Sequence, residues 1–189
     1  MFPRVYLIKL GSILKDDSGR ILDARSSVTL ISAGAQRIIV DTGLVGEDTI
    51  IIDSLAQNGL SPDDIDMVIN THSHPDHTGN NYLFSRAKRH STKEGDIIAP
   101  GVRIIETPGH SIDSVSVVVE SQDVVVVAGD ALPTFSNYLK GLPPALNFDR
   151  DLACRSMSRI LKIANVVVPG HDRPFSVRDR AYATFQYLR

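Results

Sequence analysis

Residues 71–77 read Thr71-His72-Ser73-His74-Pro75-Asp76-His77. Three of the chain's six histidines fall in this stretch, with an aspartate between the last two. It follows a short apolar run, Met67 to Asn70, that reads as a strand. In an extended segment alternate side chains point the same way, so His72 and His74 can share one metal ion. Pro75 holds the residue before it in extended backbone, which keeps His74 in that register. Asp76 and His77 lie past the proline and can face a second ion. Imidazole and carboxylate suit zinc, and they also suit iron, manganese or cobalt.

The same arrangement recurs along the chain. Ile104-Ile105 runs through Thr107-Pro108-Gly109 into His110. Val125 to Val127 runs through Ala128-Gly129 into Asp130, and Val166 to Val168 through Pro169-Gly170 into His171. Each time an apolar strand ends, a turn follows and a ligand-type residue appears. Strand ends are held by a rigid sheet yet face an open mouth, which suits chemistry. A lone histidine is ordinarily a surface or hydrogen-bonded core residue, and His90, in RAKRHSTKEG, is read that way and as exposed. Five of the six histidines at strand ends or in the turns after them are not explained so simply.

Around these motifs the sequence reads as strands with helices interspersed. Val5 to Ile13 reads as a first strand, with a turn at 16–20. Ser27 to Ser32 and Arg37 to Val40 follow as strands, and Glu47 to Asn58 as a helix stopped by Gly59. Val102 to Glu106, Val115 to Glu120, Val124 to Val127 and Val166 to Val168 read as strands. Asp151 to Ile163 and Arg178 to Leu188 read as helices. The expected result is a sheet-on-sheet core with helices outside.

With 189 residues, 42% of them apolar, the chain suffices for one domain spanning 1–189. No apolar run is long enough to span a membrane, and the N-terminus lacks a signal-peptide layout. One cysteine, Cys154, excludes an intrachain disulfide and a cysteine-rich metal site, in keeping with a reducing cytoplasm. Cys154 itself is read as a small buried helix residue. A net charge of −2 argues against general nucleic-acid affinity. The basic groups at 86–93 and 155–162 are read as solvated faces.

VDTG at 40–43, THSHPDH, TPGHS, AGD and PGH, in that order, resemble the motifs of the metallo-β-lactamase superfamily across nearly the whole chain. The resemblance implies an α+β fold, a four-layer αββα sandwich with two metals along one edge. By that analogy His72, His74 and His110 hold one metal and Asp76, His77 and His171 the other. Asp130 bridges them, and Asp41 braces the histidine loop through hydrogen bonds. Within the superfamily, THSHPDHTGN, VVVAGD and ANVVVPGHDRPF are similar to the metallo-β-lactamase domain-containing protein 1 group. Asp130 and His77 depart from the dedicated antibiotic hydrolases. The stretch after His171 is short for the helical domain of glyoxalase II, and the length leaves no room for the cap domain of the RNA- and DNA-cleaving branch.

Two divalent ions, zinc by preference with iron or manganese as alternatives, would at roughly 3.5–4 Å apart share a water and lower its pKa toward about 7. A hydroxide so formed attacks a carbonyl or phosphorus, with Asp76 or Asp130 receiving a proton. The expected function is a dinuclear hydrolase of an ester, thioester, lactone or phosphodiester. The expected partner is a small ester-type molecule or single-stranded RNA. An RNA-cleaving nuclease and a mononuclear iron persulfide dioxygenase are the alternatives. Substrate choice is assigned to the loop Ala131 to Phe148, where Tyr138 is expected to meet a substrate oxygen and Lys140 an anionic group.

Overall fold

A computed structural model describes residues 2–89, 92–186 and 188. His90 lies outside the described residues. The elements run β1 (Arg4–Lys9), β2 (Ser12–Lys15), β3 (Ile21–Arg25), β4 (Val28–Ala33) and β5 (Gln36–Val40), then α1 (Asp48–Ala56) and β6 (Met67–Ile69). Next come α2 (Pro75–Thr78), β7 (Lys88–Arg89), β8 (Ile97–Ala99), β9 (Val102–Glu106), β10 (Val115–Glu120) and β11 (Val124–Gly129). The last are α3 (Phe135–Lys140), α4 (Arg150–Ile163), β12 (Val166–Pro169), β13 (Phe175–Ser176) and β14 (Ala181–Tyr182).

One sheet has the order β1-β4-β5-β6-β7, the other β14-β13-β12-β11-β10-β9-β8, and β2-β3 forms a separate hairpin. The strands read as unbroken apolar runs because both faces are covered. Alternation then divides each strand between two cores. Ile38, Val40, Val117, Val119, Val125 and Val127 meet between the sheets. Ile39 and Val68 point outward against Ile51 and Leu55 of α1. Val118 and Val126 point outward against Met157 and Ile160 of α4. The layers are helix, sheet, sheet, helix, as the αββα expectation requires.

Among the described residues the first sheet has two parallel pairs, β5 with β6 and β6 with β7, and the second has one near its middle, β11 with β12. Their C-terminal ends open onto the same edge, where the backbone turns away from the ladder and side chains are free to converge.

Three sequence expectations are corrected. The strand from Val5 to Ile13 is two strands, interrupted at Gly11, where an added Cβ would lie 2.4 Å from the Gly170 carbonyl oxygen. The helix expected over Arg178 to Leu188 is not formed. Ala181–Tyr182 pairs with β13, and the chain then runs along β1. There the Leu7 amide donates to the Gln186 carbonyl and the Leu188 amide to the Leu7 carbonyl, each at 3.0 Å. Satisfying the free edge of β1 and burying Phe185 against the core outcompete helix formation. Finally, the segment 131–148 is not all loop, since it contains α3. Thr134 caps this helix by accepting from the Asn137 amide, and Gly141 ends it with φ 63°.

Candidate metal centre

All seven sequence-predicted ligand residues converge on the edge where the parallel strands end. One donor atom from each of His72, His74 and His110 lies within 4.8 Å of the other two. The same holds for Asp76, His77 and His171, and for His72, His77 and Asp130. The third group shares a histidine with each of the first two. Asp130 accordingly contacts both: Oδ2 stands 3.4 Å from His110 Nε2, and Oδ1 stands 3.1 Å from His171 Nε2 and 3.4 Å from His77 Nε2. Asp76 Oδ2 lies 3.5 Å from His171 Nε2 and 3.7 Å from His77 Nε2.

Local sequence accounts for each placement. His74 has φ −64° and ψ 147°, the extended backbone that Pro75 favours, and Pro75 then opens α2, which carries Asp76 and His77. Gly109, with φ 133°, packs against the start of α4, where an added Cβ would lie 2.2 Å from the Ala153 amide nitrogen. That close approach brings His110 inward. Gly170 faces Asp130 so tightly that a Cβ would fall 2.1 Å from Oδ1.

Hydrogen bonds from outside the cluster set which ring nitrogen faces in. Asp41, with φ 58°, accepts from the Thr71 amide at 2.7 Å and from Thr71 Oγ1 at 2.8 Å, and its Oδ2 lies 2.7 Å from His77 Nδ1. The bracing role expected of Asp41 is thus present in the geometry. His110 Nδ1 lies 2.8 Å from the Leu146 carbonyl and His171 Nδ1 3.0 Å from the Arg25 carbonyl. A carbonyl oxygen only accepts, so these rings carry their proton on Nδ1 and present Nε2 to the cluster. His74 is turned the other way, with Nδ1 3.0 Å from His110 Nε2.

Burial and charge follow from this packing. Desolvation, reinforced by neighbouring His77, pushes the His72 ring down to about 2, so it is neutral with a free lone pair. Burial disfavours the charged forms of His77 and Asp130 as well. For His77 the carboxylates of Asp41 and Asp130 outweigh it and raise the ring well above its ordinary value. For Asp130 the contacts from His171 and His77 outweigh it and hold the carboxyl well below the usual range. His171 is raised too: burial disfavours its charged form, and the contact with Asp130 outweighs that.

Three atoms in this cluster are buried without a hydrogen-bond partner: His72 Nε2, His77 Nε2 and Asp130 Oδ1. Each such atom costs about 1–3 kcal/mol unless something meets it. With His77 in its neutral Nδ1–H form, all three can offer a lone pair to a common centre, so the residues fit cations, which would displace the proton that the carboxylates otherwise hold on His77, and the nitrogen and oxygen donors are of the kind zinc takes.

These motifs and this geometry match known proteins. Residues 23–101 match the metallo-beta-lactamase superfamily. A Methanocaldococcus jannaschii protein named "probable metallo-hydrolase" is 40% identical, with 91% of this chain and 93% of that protein aligned. The chain belongs to the metallo-beta-lactamase superfamily. Metallo-beta-lactamase domain-containing protein 1 of Xenopus laevis is 33% identical over 93% of this chain and 82% of that protein. A solved quorum-quenching N-acyl homoserine lactone hydrolase superposes with a TM-score of 0.74 at 25% identity, covering 91% of this chain and 93% of that one. The chain is therefore a metal-dependent hydrolase, and the four-layer sandwich is the one this superfamily shares. No helix among the described residues is long and apolar enough to cross a membrane.

The cluster opens into a cavity of about 320 Å³. The hairpin β2-β3 forms one wall, through Ile13, Lys15 and Ile21, and α3 with the turn after it forms the other. Sequence reading anticipated the second wall but not the first, whose signal was the alternation Ile13, Lys15 before the 16–20 turn. Tyr138 departs from its expected role. Its hydroxyl donates to the Val177 carbonyl at 2.9 Å, and its ring stacks on Phe175, with centroids 5.1 Å apart, so it supports the wall from behind. Beneath the 41–47 loop, Lys9 and Glu47 form a buried ion pair at 3.1 Å that sequence reading did not identify.

Proposed function

We propose that the chain is a dinuclear hydrolase of small ester-type molecules: esters, thioesters or lactones. In this reading His72, His74 and His110 would hold one divalent ion and Asp76, His77 and His171 the other, and Asp130 would be shared between them. The observation that carries it is the Asp130 carboxylate, 3.4 Å from His110 on one side and 3.1 Å from His171 on the other. One mononuclear site needs three or four donors, and seven are present. The donor chemistry favours zinc, with iron or manganese as alternatives.

Bound there, the ions would supply an acidified water and a Lewis acid for the substrate oxygen. The protein's own part is positional. Asp41, Leu146 and Arg25 fix the ring tautomers, so His77, His110 and His171 each offer Nε2. Asp76 lines the open cavity, where a carboxylate oxygen can take the proton released in hydrolysis and return it to the leaving group. The small-molecule reading is supported by the cavity size and by kinship with a lactone hydrolase.

The test is turnover of an ester, thioester and lactone panel by the metal-replete protein, after chelation, and after zinc is restored. Activity should vanish and return. Asp130→Asn should lower turnover by at least about 10²-fold while the fold persists. Undiminished hydrolysis by chelated protein would overturn the proposal. Turnover with one iron per chain and a persulfide as the preferred substrate would replace it with the oxygenase reading.

A further inference from the structure

We propose that Lys15 and Lys140 are specificity residues that receive an anionic group, carboxylate or phosphate, carried by the substrate away from its scissile bond. The inference rests on the hydrolase reading above and narrows its substrate class to amphiphilic acids.

Both lysines line the same cavity as the metal-ligating cluster, from its two different walls. Strand alternation directs Lys15 there. It shares a face of β2 with Ile13, which also lines the cavity, while Leu14 between them points out and is 59% exposed. Across the hairpin, Lys15 stands opposite Ile21 and Ile13 opposite Ala24. Lys140 is the last residue of α3, just before the left-handed Gly141 turns the chain back along the cavity. That turn is rigid: Asn137 Nδ2 donates to the carbonyls of Leu142 and Pro143 at 3.0 and 3.1 Å, and Asn137 Oδ1 accepts from Thr134.

Charge balance separates these two lysines from their neighbours. Lys9 and Arg25, on the same side of the molecule, both pair with Glu47, and Arg25 also pairs with Asp23. Neither Lys15 nor Lys140 has an ion pair among the described residues. Among the described residues, the only carboxylates lining the cavity, Asp76 and Asp130, belong to the candidate metal cluster. Two unneutralised cations facing one concave space raise the local concentration of anions. Apart from the lysines, the cluster and the polar residues of the α3 wall, the lining is largely apolar, with Ile13, Ile21, Leu142, Pro143 and Leu146. The complementary substrate has a hydrolysable head, an apolar middle and an anionic tail.

The experiment uses the zinc-replete full chain and 4-nitrophenyl hemiesters of adipic and sebacic acids, each beside its methyl-capped neutral partner. An ω-phosphate series of the same lengths separates phosphate from carboxylate. Wild-type kcat/KM should favour the anionic ester by about tenfold, mostly through KM, and the preference should shrink in high salt. Lys15→Met with Lys140→Met keeps the apolar stems and should bring anionic esters down to the rate of their neutral partners. Lys15→Arg with Lys140→Arg should restore the preference. A preference that survives the double methionine variant overturns the inference, as does equal hydrolysis of charged and neutral esters, which leaves the hydrolase reading standing. No turnover of any ester overturns both. Cleavage of a single-stranded oligoribonucleotide faster than every ester, lost in the methionine variant, overturns the small-substrate inference in favour of RNA.

Discussion

Replacing Asp41 by asparagine isolates the bracing of the histidine loop from everything else. Asp41 is 2% exposed and its carboxylate meets the Thr71 amide, Thr71 Oγ1 and His77 Nδ1, all within 2.8 Å. Asparagine tolerates the left-handed φ of 58°, so backbone strain does not confuse the result. Its carbonyl oxygen keeps the Thr71 amide bond. Its amide nitrogen then faces His77 Nδ1, and two donors cannot share one bond. The His77 proton is driven to Nε2, the atom aimed into the cluster. Exchanging two charge-assisted hydrogen bonds for weaker ones costs about 1–3 kcal/mol of stability in the metal-free protein. The displaced tautomer should weaken metal binding by about 10–100-fold. Chelator-competition titration reads the second effect and thermal unfolding of metal-free protein the first. Unchanged metal affinity in Asp41→Asn would refute the claim that Asp41 sets the His77 tautomer.

Three further outcomes follow from the same structure. Gly170→Ala places a Cβ 2.1 Å from Asp130 Oδ1, so metal content and turnover should fall sharply while the overpacking costs about 1–3 kcal/mol in a melt. Lys9→Met takes the closer cation from a Glu47 that is 4% exposed and leaves it Arg25 at 3.4 Å and the Leu44 amide at 2.8 Å; urea unfolding should show a loss of about 3 kcal/mol, partly recovered by adding Glu47→Gln. Glu94→Gln removes a two-pronged contact with Arg159 at 2.6 and 2.9 Å, and because both side chains are about half exposed it should cost about 1 kcal/mol or less at neutral pH. The hydrogen bonds from Arg159 hold Glu94 below its ordinary value of 4.5, so that contribution is present above this value and lost as pH falls through the lowered one. Melting temperatures of Glu94→Gln and wild type should therefore converge in acid.

The convergence of the seven candidate ligand residues was legible because each follows closely on an apolar strand, and strands buried on both faces announce themselves as valine and isoleucine runs. Val102 to Glu106 and Val115 to Glu120 form strands with the bounds their sequence implies. Pro75 fixed the geometry of His74 locally, so the cluster's internal arrangement was legible too. What failed depended on partners distant in sequence. The stretch from Arg178 to Leu188 has helix-compatible residues, but the vacant edge of β1 nearly the whole chain away decides its structure. Gly11 breaks the first strand because of Gly170, and Tyr138 is sealed by Val177 and Phe175. The carbonyls of Arg25 and Leu146 that orient His171 and His110 carry no side-chain signature at all.

Metal stoichiometry tests the central claim most directly. Elemental analysis of zinc-loaded, dialysed protein should give two ions per chain, and Asp130→Asn should retain fewer. A wild-type protein that never holds more than one ion per chain, at any metal concentration that leaves it folded, would contradict the two-ion centre built around Asp130.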